Sequence, residues 1–525
     1  MKEQKNIKIQ EFISSAVIVI VAVIIFLIGF FAIGKTAFFN TVINFASEKT
    51  SIKTDNIFLN IIFTILTLLV LYFIYKKVLP KINKKILFVL MLVFTLSIGL
   101  VWTNYLKLKP ISDQSMVVYC AEKILDNDLK PILEPGNYLS RNPHQLGFVL
   151  LIATIFKIFS TRNVIYIQTF TVITTFISII TMYCIIKELF EEEIIHKLST
   201  LFLSFFGIYF AFFSPHVYGN LSGLAFALIA VLFTLKFTDS NKAWHLAIVA
   251  ISITISYLLK NNYEIFLIAI IIELGLKALR DLKLKPLIGI VCILVTVFSV
   301  KTIVYTCFEK ATNYSLDNGV PVISYIYMGI AEPQTLTPGW YTGDVEYIYN
   351  AAEYDKEKTE EITDELLEER TEYLTENPKY TFEYFKSKIQ TTWLNPTFQT
   401  IWCSTPSLIL DLDPAYNNYI APKKLLISIV TGHAYDLEER AMDIYQILVF
   451  LSASFALFAS FKEGNLKKMF LPIIFLGGFT FHLIWETKSI YVLQYFYLLV
   501  PYAVFGLYKL FNLIDEKIKT IKEKA

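Results

Sequence analysis

The chain has 525 residues, of which 55% are hydrophobic, 15% aromatic and 18% charged, with a formal net charge of +2 and a mean hydropathy of +0.54. That balance excludes an ordinary water-soluble domain and fits an all-α polytopic membrane protein. The near-neutral charge offers nothing for a nucleic-acid partner, and Cys120, Cys184, Cys292, Cys307 and Cys403 show neither metal-ligand spacing nor a paired framework.

Met1–Glu11 is basic, and the apolar run after it, 12–33, is too long for a signal-peptide core. It reads as a retained span. Further spanning-length runs follow at 57–75, 86–104, 164–186, 197–213, 219–236, 243–259, 263–280, 286–306, 444–461, 468–485 and 490–512. Each is expected to be a helix, because a helix satisfies its own backbone donors and acceptors in lipid. The run Leu146–Ser160 is ambiguous: it is short, carries Lys157, and is followed at once by Thr161-Arg162-Asn163.

Charge in the links decides that case. If 146–160 does not cross, the basic links Lys76–Lys85, Lys277–Lys285 and Lys462–Lys468 and both lysine-rich termini share one side, the cytoplasm by the positive-inside rule. The expected architecture is then about 12 transmembrane helices, with 146–160 a juxtamembrane helix on the outer surface. It divides into three helices over 1–104, an extracytoplasmic loop 105–163, a six-helix core 164–306, an extracytoplasmic cap 307–443, and three helices with a basic tail over 444–525.

The polar stretch 105–145 is too long for a plain connector, and such loops usually carry function. Asp113 stands at its head, before the helix-like stretch 116–125. It is a helix N-cap, a solvated loop residue, or a general base, a role worth on the order of 10² to 10⁴ in rate. Glu122, Asp126, Asp128 and Glu134 are competing acids. Arg141, His144 and Gln145 end the loop where the surface helix begins. They suit a phosphate or sugar hydroxyls, or anchoring at the interface. His216, in Ser214-Pro215-His216-Val217-Tyr218-Gly219-Asn220, suits a metal, a substrate or a structural turn. Lys260 breaks two apolar runs and either meets a lipid phosphate or snorkels to the headgroups. Glu486 and Lys488, after His482 and Trp485 and before Tyr491, mark either a site or an ion pair. Nucleotide-binding and zinc-helix motifs are lacking.

Several strings together resemble a known class. The early outer-loop acid is followed by Tyr138-Leu139-Ser140-Arg141-Asn142-Pro143-His144-Gln145-Leu146-Gly147. Then come Tyr327-Met328-Gly329-Ile330 with Gly339-Trp340-Tyr341, and Phe385-Lys386-Ser387-Lys388-Ile389 leading to Trp393-Leu394-Asn395-Pro396. The last is His482-Leu483-Ile484-Trp485-Glu486-Thr487-Lys488-Ser489-Ile490-Tyr491. In this order, over about 105–500, they resemble the GT-C class of polyprenyl-phosphate-sugar-dependent glycosyltransferases. More particularly, they are similar to bacterial relatives of the protein O-mannosyltransferases and lipid A aminoarabinose transferases.

The resemblance implies a GT-C fold in the cell membrane, an undecaprenyl-phosphate-linked monosaccharide as donor, an extracytoplasmic site and inversion at the anomeric carbon. It makes Asp113 the catalytic base and Arg141, Lys260 and Lys488 candidate phosphate contacts, with His144, Gln145, His216, Glu486 and Tyr491 completing the substrate-binding set. Two departures stand out. Relatives often carry a second acid where this chain has Tyr218-Gly219-Asn220, which leaves a divalent metal cofactor open, and Ile490 stands where arginine is common. The lysine-, isoleucine- and asparagine-rich composition is consistent with a low-GC Gram-positive bacterium, and so with teichoic acid, wall polysaccharide or a surface protein as acceptor. The alternatives are a lipid-linked-sugar flippase or transporter, or a cell-wall polysaccharide polymerase or ligase.

Overall fold

The computed structural model describes residues 2–41, 48–333, 337–402, 421–431, 433–460 and 466–524. It is an all-α polytopic membrane protein. Helices α1 (Lys2–Gly34), α2 (Ile57–Phe73) and α3 (Lys84–Leu106) coincide with the first three apolar runs. Between the first two lies an antiparallel hairpin, β1 (Lys35–Thr41) and β2 (Glu48–Thr54), pairing Lys35 with Thr54. Its edge is covered: Ala37 N–H donates to Leu394 O at 2.9 Å, and Thr50 N–H to Thr337 Oγ1 at 3.1 Å.

The polar loop folds into α4 (Asp113–Leu125) and the short turns α5 (Lys130–Leu133) and α6 (Tyr138–Arg141). The chain then turns by 92° into α7 (Leu146–Phe159). At 14 residues α7 is roughly 21 Å long, short of the ~30 Å hydrocarbon core. It packs on α4 and on α11 (Ala243–Leu259). The central bundle comprises α8 (Ile165–Leu189), α9 (Glu193–Phe213), α10 (Asn220–Ser240), α11, α12 (Glu264–Asp281) and α13 (Lys285–Thr312). A cap follows: α14 (Val322–Ile330), α15 (Asp344–Ala351), α16 (Lys356–Glu376) and α17 (Pro378–Trp393). Last come α18 (Ala421–Thr431), α19 (His433–Ser460), α20 (Leu466–Ile484), α21 (Ser489–Tyr497) and α22 (Val500–Lys524).

Nine of the described helices are long and apolar enough to cross a membrane, or eleven if each bent pair counts as one span. All twelve expected runs are helical, with one correction. The run 490–512 is not one helix: α21 and α22 meet at 52°. Pro501, at the second position of α22, has no N–H to continue the ladder, and Leu498 and Leu499 close tight turns onto Tyr495 and Phe496. Helix α11 has only 17 residues, and α12 holds Glu264, Glu273, Lys277, Arg280 and Asp281. Cys120, Cys184, Cys292 and Cys307 are free thiols; Cys403 and much of the basic link 462–468 lie outside the described residues.

Two glycines fix how tightly the links at the Asp113 end pack. Gly219 has φ +82°, and a Cβ there would sit 2.3 Å from Leu259 O, so the turn before α10 lies against the end of α11. A Cβ on Gly329 would meet Ile484 O at 2.2 Å, so the cap helix α14 rests on the end of α20.

Candidate active site

Asp113 is the first residue of α4, and Ser112 before it has φ +46° and makes no side-chain capping bond. Asp113 thus lies one position past the N-cap, which is Ser112. The neighbouring Gln114 accepts from Val217 N–H at 3.0 Å, while Gln168 donates to Leu108 O and Pro215 O at 2.9 and 3.0 Å. These bonds bind the loop's head to the turn 214–218. Across that contact Tyr218 Oη donates to Asp113 Oδ2 at 3.2 Å, and Tyr138 Oη donates to Tyr218 Oη at 3.4 Å. The carboxylate stays exposed at the protein surface.

On the face of the Tyr218 ring sits Lys260 Nζ, 3.7 Å from the centroid. Lys260 is 8% exposed. Burial pulls its ammonium down to about 8, against the opposing pull of Asp113 and Glu486. Burial, with the charge of Asp113 behind it, drives the Tyr218 phenol well above its ordinary range. Tyr218 therefore stays protonated and acts as donor. His144, edge-on to Tyr325 at 6.4 Å, is pushed down to about 3, first by burial and then by the charges of Lys260 and Lys301. It is a neutral imidazole at physiological pH.

The cap closes over this cluster. Arg141 pairs with Glu346 at 3.2 Å, and Glu346 also accepts from Tyr341 Oη. Val320 N–H donates to Arg141 O at 3.0 Å and Tyr325 Oη to Asn142 Oδ1 at 3.1 Å. Tyr325 stacks on Trp485 at 5.8 Å and 9°; burial raises its phenol, and the charges of Glu486, Arg141, Glu346 and Asp113 all bear on it. Lys388, buried in α17, donates to Gly329 O and, at 2.9 Å, to Trp485 O, so the link carrying Glu486 and Lys488 is bolted to the cap. Thr487 N–H reaches Gly339 O at 2.8 Å, and Lys488 Nζ lies 5.8 Å from the Trp340 ring.

The structure thus gathers the residues singled out in sequence at one end of the bundle. Lys260 feels the charges of Asp113 and Glu486, His144 that of Lys260, and Tyr325 those of Glu486, Arg141 and Asp113. Tyr491 stacks near His482 at 6.1 Å and bears on Tyr218. Gln145 is buried at 1% exposure, and the His216 ring lies 5.9 Å from that of Tyr218. Three of the four competing acids are engaged elsewhere, Asp126 with Arg162, Asp128 with Lys123 and Glu134 with Lys130. Tyr138, Tyr218, Tyr341 and Lys388 stand in the quoted strings without an assigned role, and Tyr325 and Glu346 were not singled out.

A divalent metal does not fit this donor set. Among the described residues no three His, Cys, Asp or Glu side chains converge. Asp113 faces a phenol backed by an ammonium, and Asn220 turns a buried Oδ1, unpartnered among the described residues, towards the protein interior.

Residues 143–305 match the model of the family described as dolichyl-phosphate-mannose-protein mannosyltransferase. The match falls inside the stretch over which the sequence resembles such enzymes, and agrees with that resemblance. Among solved structures, the chain is similar to the crystal structure of the Archaeoglobus fulgidus oligosaccharyltransferase tethered with an acceptor peptide. The identity is 11% and the TM-score 0.42, over 81% of this chain and 49% of that one. The chain thus spans about half the length of that enzyme. No curated protein matches the sequence.

Proposed function

We propose that the protein is a membrane glycosyltransferase of the GT-C class, moving a monosaccharide from a polyprenyl-phosphate carrier to a hydroxyl of a cell-envelope acceptor on the extracytoplasmic side. One observation carries the reading: a surface-accessible carboxylate and a buried ammonium sit on the same phenol, Tyr218 bonding Asp113 at 3.2 Å and supporting Lys260 at 3.7 Å. A carboxylate near a cation supplies the two charges that displacement at a sugar phosphate requires. The family match over 143–305 supports the same chemistry.

In the proposed step the acceptor hydroxyl loses its proton to Asp113 as its oxygen forms a bond to the anomeric carbon. The bond from that carbon to the phosphate oxygen breaks, and the electron pair leaves with the polyprenyl phosphate. Attack opposite the leaving group inverts the centre. Charge growing on the phosphate is met by Lys260, with Arg141 and Lys488 at the cap side, where fixed charges in a partly dry site act most strongly. The acceptor belongs to one of three classes, teichoic acid, wall polysaccharide or surface protein. Lysine placement in the links supports an outward-facing Asp113 end.

Asp113→Asn, which keeps the Tyr218 contact but cannot take the proton, is expected to lower transfer from lipid-phosphate sugar by about 10² to 10⁴-fold. The measurement is sugar transfer in membranes holding equal amounts of each protein. Normal transfer by the variant would overturn the mechanism.

A further inference from the structure

Helix α13 carries a charge that no part of the site above uses. Gly289, Ile293 and Val297 form its buried stripe at four-residue spacing, and a Cβ on Gly289 would meet Leu246 at 2.8 Å, so the stripe faces α11. The next position on that stripe is Lys301. Its Nζ donates to Tyr257 Oη at 3.3 Å and lies 5.4 and 5.6 Å from the ring centroids of Tyr257 and Tyr305. Those partners are neutral; among the described residues no carboxylate lies within ion-pair distance of it. Phe298, one turn before it on the helix, is 52% exposed on the apolar outer face of the span. Lys301 is therefore a cation at the edge of lipid, in the seam between two helices. Helix α13 continues to Thr312, past the end of its apolar run near 306, so Lys301 lies about a turn and a half inside the outer end of that run.

The seam leads inward to the site. Tyr305 Oη donates to Pro143 O at 2.9 Å, and the next residue is His144, which lies in the fields of both Lys301 and Lys260. Lys260 in turn covers Tyr218, the partner of Asp113. A row of positive and neutral donors thus runs from the lipid face to the carboxylate. Placing a cation inside a span is costly and usually marks a function. An anionic headgroup entering sideways from the bilayer, its chain still in lipid, is the ligand that would offset that cost here.

We propose that Lys301, framed by Tyr257 and Tyr305, is the entry subsite for the phosphate of a polyprenyl phosphate, which passes from the α11–α13 seam to Lys260. The identity of the lipid rests on the transferase reading; the site itself rests on the seam.

The test is binding of a fluorescent polyprenyl phosphate to the full chain in nanodiscs, with phosphatidylglycerol and inorganic phosphate as competing probes. Lys301→Gln is expected to weaken polyprenyl-phosphate binding by roughly tenfold, the loss of one charge-assisted contact, with Lys301→Arg restoring it. The same loss is expected in the Asp113→Asn background, since no turnover is involved. Unchanged binding by a Lys301→Gln protein that melts as the wild type does would overturn the proposal and leave Lys301 a headgroup anchor. Equal dependence of phosphatidylglycerol or inorganic phosphate binding on Lys301 would overturn the choice of ligand. Lys301-dependent binding without any sugar transfer would instead sink the transferase reading and leave the subsite standing.

Discussion

Lys260, in the link before α12, and Lys277, in the last turns of α12, are both buried lysines, yet they are set in opposite ways. Lys277, 1% exposed, donates to Thr238 O at 2.7 Å and pairs with Asp281 at 2.8 Å, and Asp281 is held again by Arg280 at 2.8 Å. Glu273, one turn further into the bundle, lies in the field of Lys277 and Arg280. At that end Lys277, Asp281 and Arg280 pair with one another, while the buried Glu273 carboxyl has no hydrogen-bond partner among the described residues. Lys260 rests on a ring face, and the carboxylate it feels is one phenol away. A completed network holds helices together, whereas a cation kept near but apart from its anion has capacity left for a ligand. The difference separates structural from functional burial of charge within one helix hairpin.

Substitution at the paired end should act on stability. Asp281→Ala strands the buried Lys277 ammonium, and the expected loss is about 3 kcal/mol of stability, read as a fall in melting temperature in detergent. An unaltered melt would show that the Lys277 network is not what stabilises that end. At the open end the same kind of change should move function more than stability. Tyr218→Phe removes the donor to Asp113 but keeps the ring under Lys260. The loss of a hydrogen bond to a charged group, about 1.5 kcal/mol, should reduce kcat/KM roughly tenfold while the melt stays close to that of the wild type. A large drop in melting temperature would place Tyr218 with the structural residues.

The smallest expected effect is on pH. With Lys260 pulled down to about 8, its ammonium is protonated below that pH and neutral above it. Donor affinity should therefore fall as pH rises through about 8, seen as a rising KM for the lipid donor with little change in kcat. Lys260→Arg, which stays charged over this range, should abolish that limb. A limb that persists in the arginine variant would assign it to another group.

Several features of the site are legible from the chain alone, and others are not. A carboxylate after a span and a lysine in a polar break stand out because charge near a membrane is conspicuous wherever the chain later goes. Tyr218 does not stand out. It lies 105 residues from Asp113, in a turn whose sequence reads as a place for a second acid, and one tyrosine among 31 carries no mark of its partner. Lys301 was absorbed into an apolar run for the same reason: in a window dominated by Val, Ile and Phe, one lysine does not change the average. Asp113 is not the N-cap because the helix starts one residue earlier than the capping reading needs: Ser112, with a positive φ, holds that position.

What the chain determined by itself is the membrane character, the helical state of its apolar runs and the polar segments between them. These follow from local hydropathy and from the need of every backbone group in lipid to be bonded within its own helix. Tertiary structure alone decided that α21 and α22 meet at an angle, that Asp126, Asp128 and Glu134 are spent on ion pairs, and that Asp113, Tyr218 and Lys260 share one ring. Those are contacts between residues far apart in the chain. Their free energy depends on which surfaces close against each other, and no local periodicity carries that information.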